Sequence, residues 1–139
     1  MITSKIVYVG ELCTKAVHEK SQSEISTDAP TDNNGLGRTF SPTDLLATAL
    51  GSCMLTIMGM RANDSSLNIE GTTALVTKIM ASDPRRVSEI KVEIEIVDRG
   101  LSTVHRTVLE KAAVTCPVAL SLNGSLKQTV SFSYRKWKN

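Results

Sequence analysis

Three cysteines carry most of the chemical interest of this 139-residue chain: Cys13, Cys53 and Cys116. Cys116 stands directly before Pro117, and proline suits the first turn of a helix but cannot extend one from behind. Cys116 is therefore expected at a helix junction, where free backbone N–H groups and the positive helix end favour a thiolate. Cys53 lies inside a long uncharged stretch, where a cysteine is more often a small buried hydrophobe than a reagent. Cys13 sits in a short polar strand or turn with no activating neighbour in sequence, and reads as incidental.

Two other chemistries are disfavoured. Three cysteines with His18 and His105 could in principle hold a metal, but no C-x-x-C or H-x-x-x-H spacing is present. No metal or bound cofactor is expected; His18 reads as a strand residue and His105 as a first-turn helix residue, both solvated. Gly51-Ser52-Cys53 lacks nucleophile-elbow spacing, and a hydrolase triad has no support.

The elements that must position these thiols can be read from periodicity. Ile2 to Val9, Lys15 to His18 and Ser23 to Ser26 have strand character, followed by a loop from Thr27 to Arg38. Ser41-Pro42-Thr43-Asp44 starts a helix: Ser41 as N-cap, Pro42 at the first helical position and Asp44 closing a capping-box-like exchange. That helix runs to about Ala62 with no charge between Asp44 and Arg61, so it must be buried on nearly every side. Gly51 and Gly59 in its interior each cost about 1 kcal/mol relative to alanine, and close packing is the expected compensation.

Thr72 to Met80 and Val87 to Val97 predict a hairpin. The second strand carries Ile90, Val92, Ile94 and Ile96 on one face and Lys91, Glu93 and Glu95 on the other. Ser102 begins an amphipathic helix with Val104, Val108 and Ala112 at helical spacing. A short helix from Pro117 stops near Asn123-Gly124, and Leu126 to Tyr134 closes the chain as a strand. Segregated strands and helices indicate an α+β fold in a single domain, residues 1–139.

Composition narrows the function classes. A net charge of +2 gives no support for nucleic-acid or anionic-membrane binding, and basic Arg135-Lys136-Trp137-Lys138 reads as a solvated strand end. The apolar stretch from Leu45 to Met60 is short for a membrane span and reads as a core helix. Met1 to Glu11 alternates like a strand and lacks a secretory apolar region, so a cytoplasmic location is expected and the sequons at Asn63 and Asn123 carry little meaning. In a reducing compartment, cysteines are packed, metal-bound or reactive rather than bridged.

Phe40-Ser41-Pro42-Thr43-Asp44-Leu45-Leu46-Ala47-Thr48-Ala49-Leu50-Gly51-Ser52-Cys53, followed 63 residues later by Cys116-Pro117-Val118, resembles the OsmC/Ohr family over nearly the whole chain. The resemblance implies an intertwined homodimer: antiparallel sheets wrapped around two central helices, with active sites at the subunit interface. It implies a cysteine-based thiol peroxidase that reduces organic hydroperoxides to alcohols. Cys53 would become a sulfenic acid, Cys116 would condense with it to a disulfide, and an external dithiol would reset the pair. Met54, Leu55 and Met58 are candidates to line a pocket for the substrate tail, though each alone reads more simply as core.

The chain departs from the family's pattern at two positions. The glutamate that usually follows the helix-start proline is replaced by Thr43, with Asp44 next; Asp44 is the candidate substitute, although its capping role already accounts for it. The usual arginine of the first turn is missing, and Arg38 is the preferred replacement over Lys15. These departures resemble a divergent OsmC-like branch. Two alternatives therefore stand beside the peroxidase: a non-catalytic binding protein for a small apolar ligand, and a thiol redox sensor.

Overall fold

The computed structural model describes residues 1–139. Its contacts divide the chain into two compact units, Met1–Leu46 and Ala47–Asn139, with the boundary falling inside the long helix.

In the first unit, β1 (Ser4–Gly10), β2 (Cys13–His18) and β3 (Glu24–Asp28) form an antiparallel sheet in the order β1-β2-β3. The predicted strands are present, and β3 runs two residues further than expected, to Asp28. The extension follows from register: Val17 pairs with Glu24, and counting outward brings Cys13 opposite Asp28. Beyond β3 a 3-10 turn at Thr31–Asn33 leads into a tight loop. A Cβ at Gly35 would lie 1.7 Å from the Ala29 carbonyl oxygen, so only glycine lets the chain close back on itself there.

Helix α1 (Pro42–Asp64) begins as its sequence predicts. Ser41 Oγ accepts the Asp44 N–H at 3.0 Å and Asp44 Oδ2 accepts the Ser41 N–H at 2.9 Å, a reciprocal capping box. By length and composition α1 could cross a membrane. Leu50, Met54 and Met58 are nonetheless completely buried.

The second unit is built on β4 (Thr73–Ala81), β5 (Arg86–Asp98) and β6 (Lys127–Lys136), in the order β4-β5-β6. The β4–β5 hairpin is antiparallel, whereas β6 runs parallel to β5. The sheet is thus mixed rather than wholly antiparallel. Helices α2 (Thr103–Val114) and α3 (Pro117–Ser121) supply the crossover that a parallel pair requires. On β5 the expected alternation holds, with Ile90, Val92, Ile94 and Ile96 buried and Lys91, Glu93 and Glu95 exposed.

Helix α2 starts at its N-cap Ser102, but its buried face is Leu109, Ala112 and Ala113. Val104 and Val108, expected inward, are 70% and 43% exposed. The rotation that buries Leu109 also brings Arg106 against Asp98 (Nη2 to Oδ2, 2.7 Å) and over the Tyr134 ring (4.1 Å). Those polar contacts, made with β5 and β6, are invisible to an apolar count.

Gly51 bears out the close-packing expectation. A Cβ there would meet Val76 Cγ1 of β4 at 2.7 Å, so the missing side chain sets how closely α1 lies on the sheet. Gly59 differs: a Cβ there would meet no atom within 4 Å.

Candidate active site

Cys53 stands in the middle of α1, two residues after Gly51, and is half-buried. Cys116 is the N-cap of α3, is completely buried, and its Sγ accepts the Ala119 N–H at 3.4 Å. The fold brings these two thiols near enough that Cys53 acts directly on Cys116, and both are free. Sixty-three residues of sequence are thereby closed by the β4–β5 hairpin and α2.

The helix junction predicted for Cys116 is present, but its electrostatic consequence is reversed. Burial is the largest influence and pushes the Cys116 thiol above its ordinary value. The Ala119 and Val118 N–H groups pull the other way, while the hydrogen bond and charge of Cys53 add to the rise. A short cap cannot offset loss of solvent, so Cys116 is held as a neutral thiol. A neutral, enclosed thiol is suited to wait for an electrophilic sulfur rather than to attack first.

Arg38 and Cys13 form a second cluster, inside the first unit. Arg38 Nε donates to Asp28 Oδ2 at 2.8 Å, and the Arg38 backbone N–H donates to the same oxygen at 3.0 Å. Its Nη2 donates to Cys13 Sγ at 3.2 Å. The Cys13 Sγ lies 3.5 Å from both Asp28 Oδ1 and the Glu11 carbonyl oxygen. Asp28 is buried, and the two bonds from Arg38 lower its pKa to about 2. Desolvation, then the Asp28 hydrogen bond and charge, raise the Cys13 thiol against the opposing pull of Arg38.

Of the remaining predicted residues, Asp44 serves the capping box, beside Thr43, whose Oγ1 lies 3.1 Å from Ser41 Oγ. Lys15 is an exposed β2 residue opposite Ser26. Met54 and Met58 are plain core, whereas Leu55 borders an open groove of about 520 Å³ with Gly59, Ala62, Leu67 and Ile69. His18 Nδ1 lies 2.6 Å from Ser21 Oγ, and His105 Nδ1 accepts the Ser102 N–H in the α2 cap.

The sequence pattern alone leaves Cys13 incidental and does not single out Asp28. The signal lies in the β2–β3 register, which sets Cys13 opposite Asp28 once the hairpin turn is fixed.

An α+β chain with two adjacent thiols, one enclosed at a helix cap, defines a class of dithiol protein. The OsmC-like protein family model matches residues 34–131. A Psychrobacter arcticus 273-4 protein assigned to the osmotic stress and detoxification response is 52% identical, with a TM-score of 0.90 over 95% of this chain and 96% of that one. The organic hydroperoxide resistance protein OsmC of Legionella pneumophila is 17% identical, with a TM-score of 0.71 over 96% and 98% of the two chains. An organic hydroperoxide resistance protein from Elizabethkingia anophelis is 15% identical, with a TM-score of 0.74 over 97% and 98%. None of the curated proteins matches. The chain belongs to the OsmC family.

Proposed function

We propose that this protein is a thiol peroxidase that reduces organic hydroperoxides. The observation that carries the reading is the adjacency of the half-buried Cys53 and the enclosed, neutral Cys116. The Cys53 thiolate attacks the distal oxygen of R–OOH, the O–O bond breaks, and R–OH leaves with a proton while Cys53 becomes a sulfenic acid. The Cys116 thiol then displaces hydroxide from that sulfur, giving a disulfide and water. A dithiol reduces the disulfide by exchange and leaves as its own cyclic disulfide. No bound cofactor enters this cycle.

The family's hydroperoxide resistance proteins share this fold at low identity, so they support the class of reaction and leave the substrate to be measured. The reading includes a homodimer. Ile6 and Tyr8 of β1 are each 64% exposed and Met60 of α1 is 55% exposed, apolar surface that a second copy would cover. Three free thiols accord with a reducing compartment, for which the cytoplasm is proposed.

The test is consumption of cumene hydroperoxide and of hydrogen peroxide with a dithiol, by wild type, Cys53→Ser and Cys116→Ser. Turnover is expected to prefer the organic peroxide and to vanish in Cys53→Ser. No turnover by a folded wild-type protein with several dithiols would overturn the reading. Saturable binding of apolar ligands, unaffected by cysteine substitution, would then favour a carrier.

A further inference from the structure

Ala119 is held at both of its backbone polar groups. Its N–H donates to Cys116 Sγ at 3.4 Å, and its carbonyl accepts Gln128 Nε2 at 3.0 Å. The other bonds of α3 and its cap are local: Leu120 N–H to the Cys116 carbonyl at 3.0 Å, Ser121 Oγ to the Pro117 carbonyl at 2.7 Å, and the Cys116 N–H back to the Ala113 carbonyl of α2 at 3.3 Å. A helix of five residues has little stability of its own. Gln128, half-buried on β6, anchors it to a strand whose register with β5 is unbroken from Lys127 to Lys136.

We propose that Gln128 is a positioning residue for Cys116. By holding Ala119 it fixes the turn whose cap is the Cys116 thiol, and so keeps that thiol presented to Cys53. The proposal rests on reading Cys53 and Cys116 as a redox pair. Ring closure depends on how much of the time the two sulfurs lie within reach in a suitable orientation. Losing the tie lets α3 fray and moves Cys116 in and out of reach. Cys53 itself, on the long helix α1, feels the change only through Cys116.

The test compares wild type, Gln128→Leu (similar in size, without a donor) and Gln128→Lys (a donor retained). Each full-length protein is equilibrated with mixtures of oxidised and reduced dithiothreitol. Two thiols become one protein disulfide as cyclic dithiothreitol becomes its dithiol, and the disulfide is counted by mass spectrometry after alkylation. Gln128→Leu is expected to lower the closure constant about fivefold, the effect of one typical hydrogen bond, and Gln128→Lys to restore most of it. In a Cys116→Ser background, the alkylation rate of Cys53 is expected to be the same whether or not Gln128→Leu is added. A closure constant unchanged in Gln128→Leu, or an equal disturbance of Cys53 alkylation, would overturn the proposal, as would a wild type that closes no disulfide. Normal closure and Gln128 dependence without peroxide consumption would overturn the peroxidase reading alone and support this one.

Discussion

Arg38 Nη2 donates a hydrogen bond to Cys13 Sγ at 3.2 Å while its Nε holds Asp28 at 2.8 Å. A thiol, a guanidinium and a carboxylate thus meet on the β2–β3 edge of the sheet. Desolvation raises the Cys13 thiol most, and the hydrogen bond and charge of the carboxylate add to it more than the guanidinium takes away. Proximity to an arginine does not by itself make a cysteine reactive; the partner of the arginine matters equally.

The same cluster predicts an acid limb in stability. Asp28 has its pKa lowered to about 2 by Arg38, from an ordinary value of 3.8. A carboxyl group depressed in the folded state stabilises above its unfolded pKa and loses that contribution as pH falls through the folded value. Thermal melts from about pH 6 to pH 2 should therefore fall below about pH 4 in wild type. Asp28→Asn should lower the plateau near neutral pH and flatten the decline. Some slope will persist, because Asp98 is also depressed, by the Leu101 and Gly100 N–H groups. Parallel curves for the two proteins would show that Asp28 gains nothing from Arg38.

Thiol reactivity should follow enclosure. Cys116 is completely buried and raised, whereas Cys53 is half-buried. With iodoacetamide at about pH 7, native Cys116 is expected to react at least about tenfold more slowly than in the unfolded chain, since the thiolate is the nucleophile and access is blocked. Cys53 should be labelled before it. Quantitative peptide mass spectrometry over a time course reads both rates at once. Equal labelling of the two would contradict the assignment of Cys53 as the attacking sulfur.

How much of this was legible beforehand depends on which contacts are local. The α1 start at Ser41 and Asp44, the alternation from Ile90 to Ile96 and the cap at Cys116 are short-range patterns, and each is found as predicted. The family motif gave the cysteine pair. The parallel β5–β6 pairing was not legible, because nothing in either strand records which neighbour it takes or in which direction. On α2 the apolar spacing is right at Ala112 and wrong at Val104 and Val108, because the helix rotation also satisfies the contacts of a charged residue, Arg106, with Asp98 and Tyr134. Cys13, Arg38 and Asp28 come together by register plus a loop closure at Gly35, a combination that composition does not encode.

Tyr134 offers a direct measure of that α2 contact. Its hydroxyl donates to Glu110 Oε2 at 2.5 Å, and its ring lies under Arg106. Burial, followed by the hydrogen bond to Glu110, pushes the phenol well above its usual range. Tyr134→Phe keeps the ring beneath the guanidinium and removes only the hydroxyl. Loss of a hydrogen bond to a charged acceptor should cost about 1.5–3 kcal/mol, read from urea unfolding at neutral pH. Glu110→Gln should cost less, because the amide oxygen still accepts. A Tyr134→Phe protein as stable as wild type would mean that water replaces the bond without loss.

The two interior glycines of α1 should respond in opposite directions to the same substitution. Replacing glycine by alanine in a helix gains about 1 kcal/mol from backbone propensity alone. At Gly51 the new Cβ would press on Val76 Cγ1 at 2.7 Å, and overpacking of a tight contact costs about 1–3 kcal/mol. Gly51→Ala is therefore expected to be neutral to destabilising by about 2 kcal/mol on those figures. Adding Val76→Ala should relieve the pressure, so a double-mutant cycle should show favourable coupling between the two changes. At Gly59 a Cβ meets nothing within 4 Å in a single chain, so Gly59→Ala should stabilise by up to about 1 kcal/mol. Denaturant curves at several protein concentrations separate the cases. A penalty at Gly59 that fades on dilution would mean that a second copy of the chain packs against that side of α1, as the proposed homodimer allows. A stabilisation independent of concentration would mean that this side of the helix faces solvent in the assembled protein.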